Sequence, residues 1–204
     1  MQTKIVLSTA YLGPIQYFSK LLKYDIAFIE QHENFTKQTY RNRCKIYGAN
    51  GELSLSIPVK KTSPKIKVKE LLIDYDTNWQ KLHWKSIESA YRSSPYFEFY
   101  EDDFKPFYEK KNKFLVDFNL EIQQVILEHL DISIDIKNTE HYARELDATT
   151  DDFRDKIHPK KQVNDSEFNI ISYTQVFQDK HGFVPNLSII DLLFNEGPNA
   201  IGLL

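Results

Sequence analysis

The first thirty residues leave the chain few choices of fold. An apolar run at residues 4–8 (Lys-Ile-Val-Leu-Ser) reads as a buried strand, and Gly13-Pro14 then punctuates a turn. Ile15, Phe18, Leu21 and Leu22 fall on one face of a helix, and residues 26–30 form a second apolar, strand-like run. Strand, helix, strand in this span is a βαβ unit, so the opening is expected to be parallel α/β. Residues 43–47 and 52–59 then flank Gly48-Ala49-Asn50-Gly51, whose residues tolerate the positive φ of a hairpin loop. The expected class is therefore α/β: an N-terminal βαβ unit with mixed sheet and hairpin, followed by a mainly helical second half.

Past the hairpin, residues 62–67 are basic, contain Pro64 and suit an exposed connection, and residues 68–75 read as another strand. Trp79, Leu82, His83, Ile87, Ala90 and Tyr91 lie at helical spacing behind Thr77 or Asn78 as N-cap, and Ser94-Pro95 ends that helix. Residues 104–130 form a long amphipathic stretch, with Pro106 at its first turn. Residues 133–168 are the least regular, with a short helix expected over 140–146 and a polar loop over 151–165. Residues 170–177 are apolar-periodic. A last helix is expected within 186–198, capped by Asn186 or Ser188 and stopped by Gly197-Pro198.

A chain of 204 residues can bury one good core, and one domain over residues 1–204 is expected. Lys and Arg number 26 against 29 Asp and Glu, a net −3, which argues against a general nucleic-acid binder. The single cysteine, Cys44, cannot form an internal disulfide. The N-terminal apolar run is too short for a signal peptide, and no stretch approaches the ~20 apolar residues of a membrane span. A cytoplasmic location is expected; the sequence names no cofactor and fixes no oligomeric state.

Three constellations could carry chemistry. The turn from Thr9 to Pro14 opens a helix whose free N–H groups could cradle a phosphate or carboxylate, or it is an ordinary βα turn. Residues 31–43 pack His32, Tyr40, Arg41, Asn42 and Arg43 behind the second strand: arginines to hold phosphate, Tyr and Asn as neutral donors to orient a substrate, and His32 to move a proton. A charged, solvated loop is the alternative. The helix carrying Trp79, His83 and Tyr91 offers a second histidine among aromatics, either catalytic or hydrogen-bonded in the core. There is no Walker A pattern, no G-x-G-x-x-G and no zinc-ligand spacing.

Six motifs in order give the chain a resemblance. Tyr11-Leu-Gly-Pro-Ile-Gln-Tyr-Phe18, Lys37-Gln-Thr-Tyr-Arg-Asn-Arg43, Leu55-Ser-Ile-Pro-Val59, Asn78-Trp-Gln-Lys-Leu-His-Trp84, Ala90-Tyr-Arg-Ser-Ser-Pro-Tyr-Phe97 and Pro185-Asn-Leu-Ser-Ile-Ile-Asp-Leu-Leu-Phe194 resemble the WbqC-like family. The resemblance implies an enzyme of bacterial surface-polysaccharide or nucleotide-sugar metabolism, a transferase of acyl or aminoacyl groups onto an amino sugar. Many members carry histidine and glutamine where this chain has Leu7-Ser-Thr-Ala-Tyr11. On this reading Tyr11, Tyr40, Arg41, Asn42, Arg43, Trp79 and Tyr91 would bind a phosphate-bearing or sugar ligand, and His32 or His83 would be catalytic. The alternatives are a non-catalytic sugar- or nucleotide-binding module, and an assembly protein docking a partner through an apolar patch over residues 96–107.

Overall fold

A computed structural model describes residues 2–60, 63, 65–161 and 165–204. The opening folds as the pattern requires: β1 (Lys4–Ser8), α1 (Ile15–Lys23) and β2 (Ile26–Glu30), with β1 and β2 parallel. Ile5 stands opposite Ala27 and Leu7 opposite Ile29, all four closed to solvent, so one face of the pair is wholly core. The hairpin follows as β3 (Arg43–Gly48) and β4 (Gly51–Ser56), closed by Ala49 and Asn50, with Gly51 at φ 99°.

Residues 68–75 are less regular than expected. Val68–Glu70 is a 3-10 turn, and only β6 (Leu72–Ile73) is a strand, paired antiparallel with β5 (Val59–Lys60). Of the basic connection, Thr62 and Pro64 lie outside the described residues. The helical part opens with α2 (Trp79–Tyr91), Asn78 taking the N-cap position. The amphipathic stretch from 104 is not one helix. α3 (Phe97–Phe104) runs into a 3-10 turn holding Pro106, and α4 (Leu115–His129) starts afresh. The break has a physical cause. Residues 113–115 are extended against β6, with Ile73 N–H donating to Lys113 O and Leu115 N–H to Leu71 O. Phe97, Tyr100 and Phe104 turn inward while Phe99 faces solvent, so the aromatic stretch does not present the expected docking patch.

Two short strands were not anticipated. β7 (Asp135–Asn138) and β8 (Thr150–Asp152) add to the sheet, which reads β7-β2-β1-β8, all parallel. Numbered by appearance, the order is third, second, first, fourth. The direction of winding reverses between β1 and β8, and ligands of open α/β sheets favour the crevice outside such a switch point. The expected helix over 140–146 does not form; that segment crosses the sheet as turns and bends. Residues 170–177 carry no regular element before α5 (Gln178–His181).

The last α-helix is α6 (Ile189–Glu196), ended by Gly197 at φ 56° and followed by a 3-10 helix over Gly197–Leu203. Ser188 holds the N-cap position, but its hydroxyl donates to Leu12 O. Asn186 caps the neighbouring helix: its Oδ1 accepts the Gln16 N–H at 2.9 Å, at the start of α1. Buried Asp191 accepts hydrogen bonds from Tyr91, Tyr173 and Gln175 at 2.9, 2.6 and 2.9 Å. That network fastens the irregular 170–177 segment to α2 and α6. Burial pushes the Asp191 carboxyl up, against the hydrogen bonds that lower it.

Candidate functional site: a basic groove at the carboxyl edge of the sheet

β1 ends at Ser8 and β8 at Asp152, and the chain leaving each strand lines the switch point. A recess of about 10 Å³ sits there, bounded by Ser8, Thr9, Tyr40, Arg41, Phe153 and Arg154. That is room for about one water. Beside it, sharing Tyr40, opens a groove of about 610 Å³, the size of a small-molecule site. Its walls come from the turn after β8 (Lys156, His158, Lys161), from β3 (Lys45) and from the start of α1 (Gln16).

The small recess, not the groove, has a floor of two buried arginines. Arg41 donates from Nε to Glu33 Oε1 at 2.6 Å and from Nη2 to both Glu33 Oε2 and Ser8 Oγ. The Ser8 hydroxyl in turn donates to Arg154 O at 2.9 Å. Arg154 forks onto Asp152 at 2.9 and 2.6 Å and reaches Glu30 and Ala143 O through Nη1. Bidentate pairing is what makes such burial tolerable. Asn119 completes the floor, donating to Thr9 Oγ1 and Arg41 O.

The wall is positively biased. Lys156 and Lys161 form no ion pair with a carboxylate among the described residues, whereas Lys45 is paired with Glu52 at 3.0 Å. Lys156 lies over the Phe153 ring, 4.4 Å from its centroid, and buried Lys20 approaches the same ring at 4.8 Å. His158 is held below its ordinary pKa by burial, and next by the cations Lys161 and Arg41. Its Nδ1 accepts the Lys160 and Lys161 N–H groups at 3.0 and 3.2 Å. The neutral ring therefore carries its proton on Nε2, as a fixed donor. Asp165, on the far wall, is committed to Lys20 at 2.8 Å and to Gln16 at 2.9 Å.

Of the residues singled out in the sequence, Tyr40 and Arg41 meet at this edge. Asn42 donates to Ile57 O, and Arg43 to Ser56 Oγ on the neighbouring strand. His32 places Nε2 3.1 Å from Thr139 O, tying the end of β2 to the end of β7. Tyr11, Trp79 and His83 come together, but in the core: Tyr11 Oη lies 3.0 Å from His83 Nδ1 and 2.9 Å from Tyr108 Oη. His83 is 6% exposed, and burial lowers its pKa to about 4. Tyr91 spends its hydroxyl on Asp191 and on Tyr47 N–H. Of the residues singled out in the sequence, the groove itself takes Tyr40.

Of the two readings of the first turn, the hydrogen bonds favour the ordinary βα turn. The Ile15 N–H donates to Leu187 O, Gln16 N–H to Asn186 and Tyr17 N–H to Pro14 O, so the donors that would meet an anion are already used. Sequence reasoning missed Lys156, His158, Lys161 and Arg154. Their signal was present, as a histidine and four basic residues within the eight positions 154–161 of a loop. Its meaning depended on β8, which was not visible.

The model of the WbqC-like protein family matches residues 9–159 and 159–202. An uncharacterized protein of Mycobacterium tuberculosis is 26% identical over 224 aligned positions, covering 98% of this chain and 96% of that protein. No solved structure matches.

Proposed function

The chain belongs to the WbqC-like protein family, and on that premise we propose that it is an enzyme of bacterial surface-polysaccharide or nucleotide-sugar metabolism. It binds a phosphate-bearing sugar in the groove at the carboxyl edge of the sheet and transfers an acyl or aminoacyl group onto it. The observation that carries this reading is the pair Lys156 and Lys161, in no ion pair among the described residues, beside the His158 donor at a topological switch point. Two mobile point charges and a fixed neutral donor are a phosphate-recognition set.

A non-catalytic sugar- or nucleotide-binding module is the second reading. It is favoured by His158 itself: with Nδ1 accepting two backbone N–H groups, the ring offers a proton and does not take one. The two readings share binding and differ in turnover. A thermal-shift screen against sugar phosphates, nucleotide-sugars and acyl donors should raise the melting temperature with one class, through mass action. The Lys156→Ala/Lys161→Ala variant should keep the basal melting temperature and lose the shift. No shift with any phosphate-bearing compound would sink both readings. Product formation with the binding class present separates enzyme from module.

A further inference from the structure

The groove has two chemically different ends. At one end it shares Tyr40 with the recess around Arg41, and carries Lys156, His158 and Lys161. At the other it shares Phe168, Ile170 and Asn186 with a second recess, and Pro185 joins them. Ile170 is 55% exposed and its neighbour Ile171 46%. Two adjacent isoleucines left in water, at the mouth of a cavity, mark a surface waiting for an apolar partner. The second recess holds only about 10 Å³, so no tunnel continues there for a long hydrocarbon chain. What the apolar end offers is a short shelf of Phe168, Ile170 and Pro185.

We infer that the groove takes a nucleoside diphosphate lengthwise, its diphosphate on Lys156, His158 and Lys161 and its base on the shelf of Phe168, Ile170 and Pro185. The inference rests on the phosphate-binding reading above and adds the nature and orientation of the ligand. Asn186 and Gln16 stand beside the shelf as amide groups fixed in place, Asn186 by the α1 N–H and Gln16 by Asp165. Asn186 Nδ2 also reaches Gln16 Oε1 at 3.4 Å, so the two amides brace one another and form a rigid rim to the shelf. Within a groove of about 610 Å³ a nucleoside diphosphate fills the space between the lysines and the shelf.

The test is calorimetric titration of the full chain, with and without magnesium, against uridine, cytidine, adenosine, guanosine and thymidine diphosphates, inorganic pyrophosphate and dodecyl phosphate. At least one nucleoside diphosphate should bind about ten-fold or more tighter than pyrophosphate, the worth of stacking one base. Ile170→Ser should erase most of that difference and leave pyrophosphate binding unchanged. Lys156→Ala/Lys161→Ala should weaken both ligands alike. Circular dichroism confirms that each variant is folded, which the exposure of all three side chains favours. Equal affinity for pyrophosphate and every nucleoside diphosphate overturns the inference and leaves the phosphate reading standing. So does dodecyl phosphate binding tighter than any nucleotide. Binding of none of these probes overturns both.

Discussion

Arg41 is 4% exposed and its guanidinium is spent on Glu33 and Ser8. Truncating one partner of such a pair leaves the other charge buried alone, at a cost of about 3–5 kcal/mol. Urea denaturation of Arg41→Ala should show a loss of that size. The double variant with Glu33→Ala should lose less than the sum of the two single changes. A ligand-binding defect in Arg41→Ala therefore reports the floor of the site, and the exposed lysines are the cleaner probes. His83 gives a second prediction at this scale. Its pKa falls from 6.5 to about 4 on folding, so the unfolded chain binds the extra proton between those values. Its contribution to stability is present above pH 6.5 and is lost as the pH falls through 4, amounting to about 3 kcal/mol. Denaturation midpoints measured from pH 7 to pH 4 should decline more steeply in the wild type than in His83→Gln. His83 and His158 also show the limits of reading a histidine from sequence. Aromatic neighbours at helical spacing marked His83 as either core or catalytic, and only packing could decide. His158 sat in a polar loop whose relation to the sheet no local pattern revealed.

Two glycines separate backbone strain from packing at the level of the element. Gly51 closes the β3–β4 hairpin at φ 99°, with open space where a Cβ would stand. Gly197 ends α6 at φ 56°, and a Cβ there would meet the Tyr96 ring at 2.5 Å. Gly51→Ala should cost about 1 kcal/mol, the backbone term alone. Gly197→Ala should cost clearly more, about 2–4 kcal/mol, because the ring must also move. Thermal melts of the two variants make the comparison. The elements that were legible in the sequence were those with a strong local signature. The apolar runs of β1 and β2, the Gly-Ala-Asn-Gly loop and the Gly-Pro stop all folded as read. β7 and β8 were hidden because they are outer strands of four and three residues with polar, half-exposed sequences, specified by pairing with β2 and β1. The long amphipathic stretch misled for the converse reason: its local period is helical, yet residues 113–115 are taken by β6.

At the scale of the molecule, the sheet is assembled from both ends of the chain. β1 and β2 are made first, but their outer neighbours arrive after residue 134, beyond the hairpin and three helices. A chain ending at residue 131 would keep two parallel strands with both edges bare, a state that two strands cannot hold unaided. Such a fragment should lack the far-ultraviolet signature of the full chain and should aggregate. Among the described residues no helix is long and apolar enough to cross a membrane.

The hydrogen bond from Gln16 to Asn186 joins positions 170 apart in sequence. During synthesis the Gln16 amide that opens α1 must wait, hydrated, for a partner made 170 residues later. A clip between residues 177 and 186 in the mature protein would return it to that unfinished state, with the basic wall intact and its opposite wall set loose.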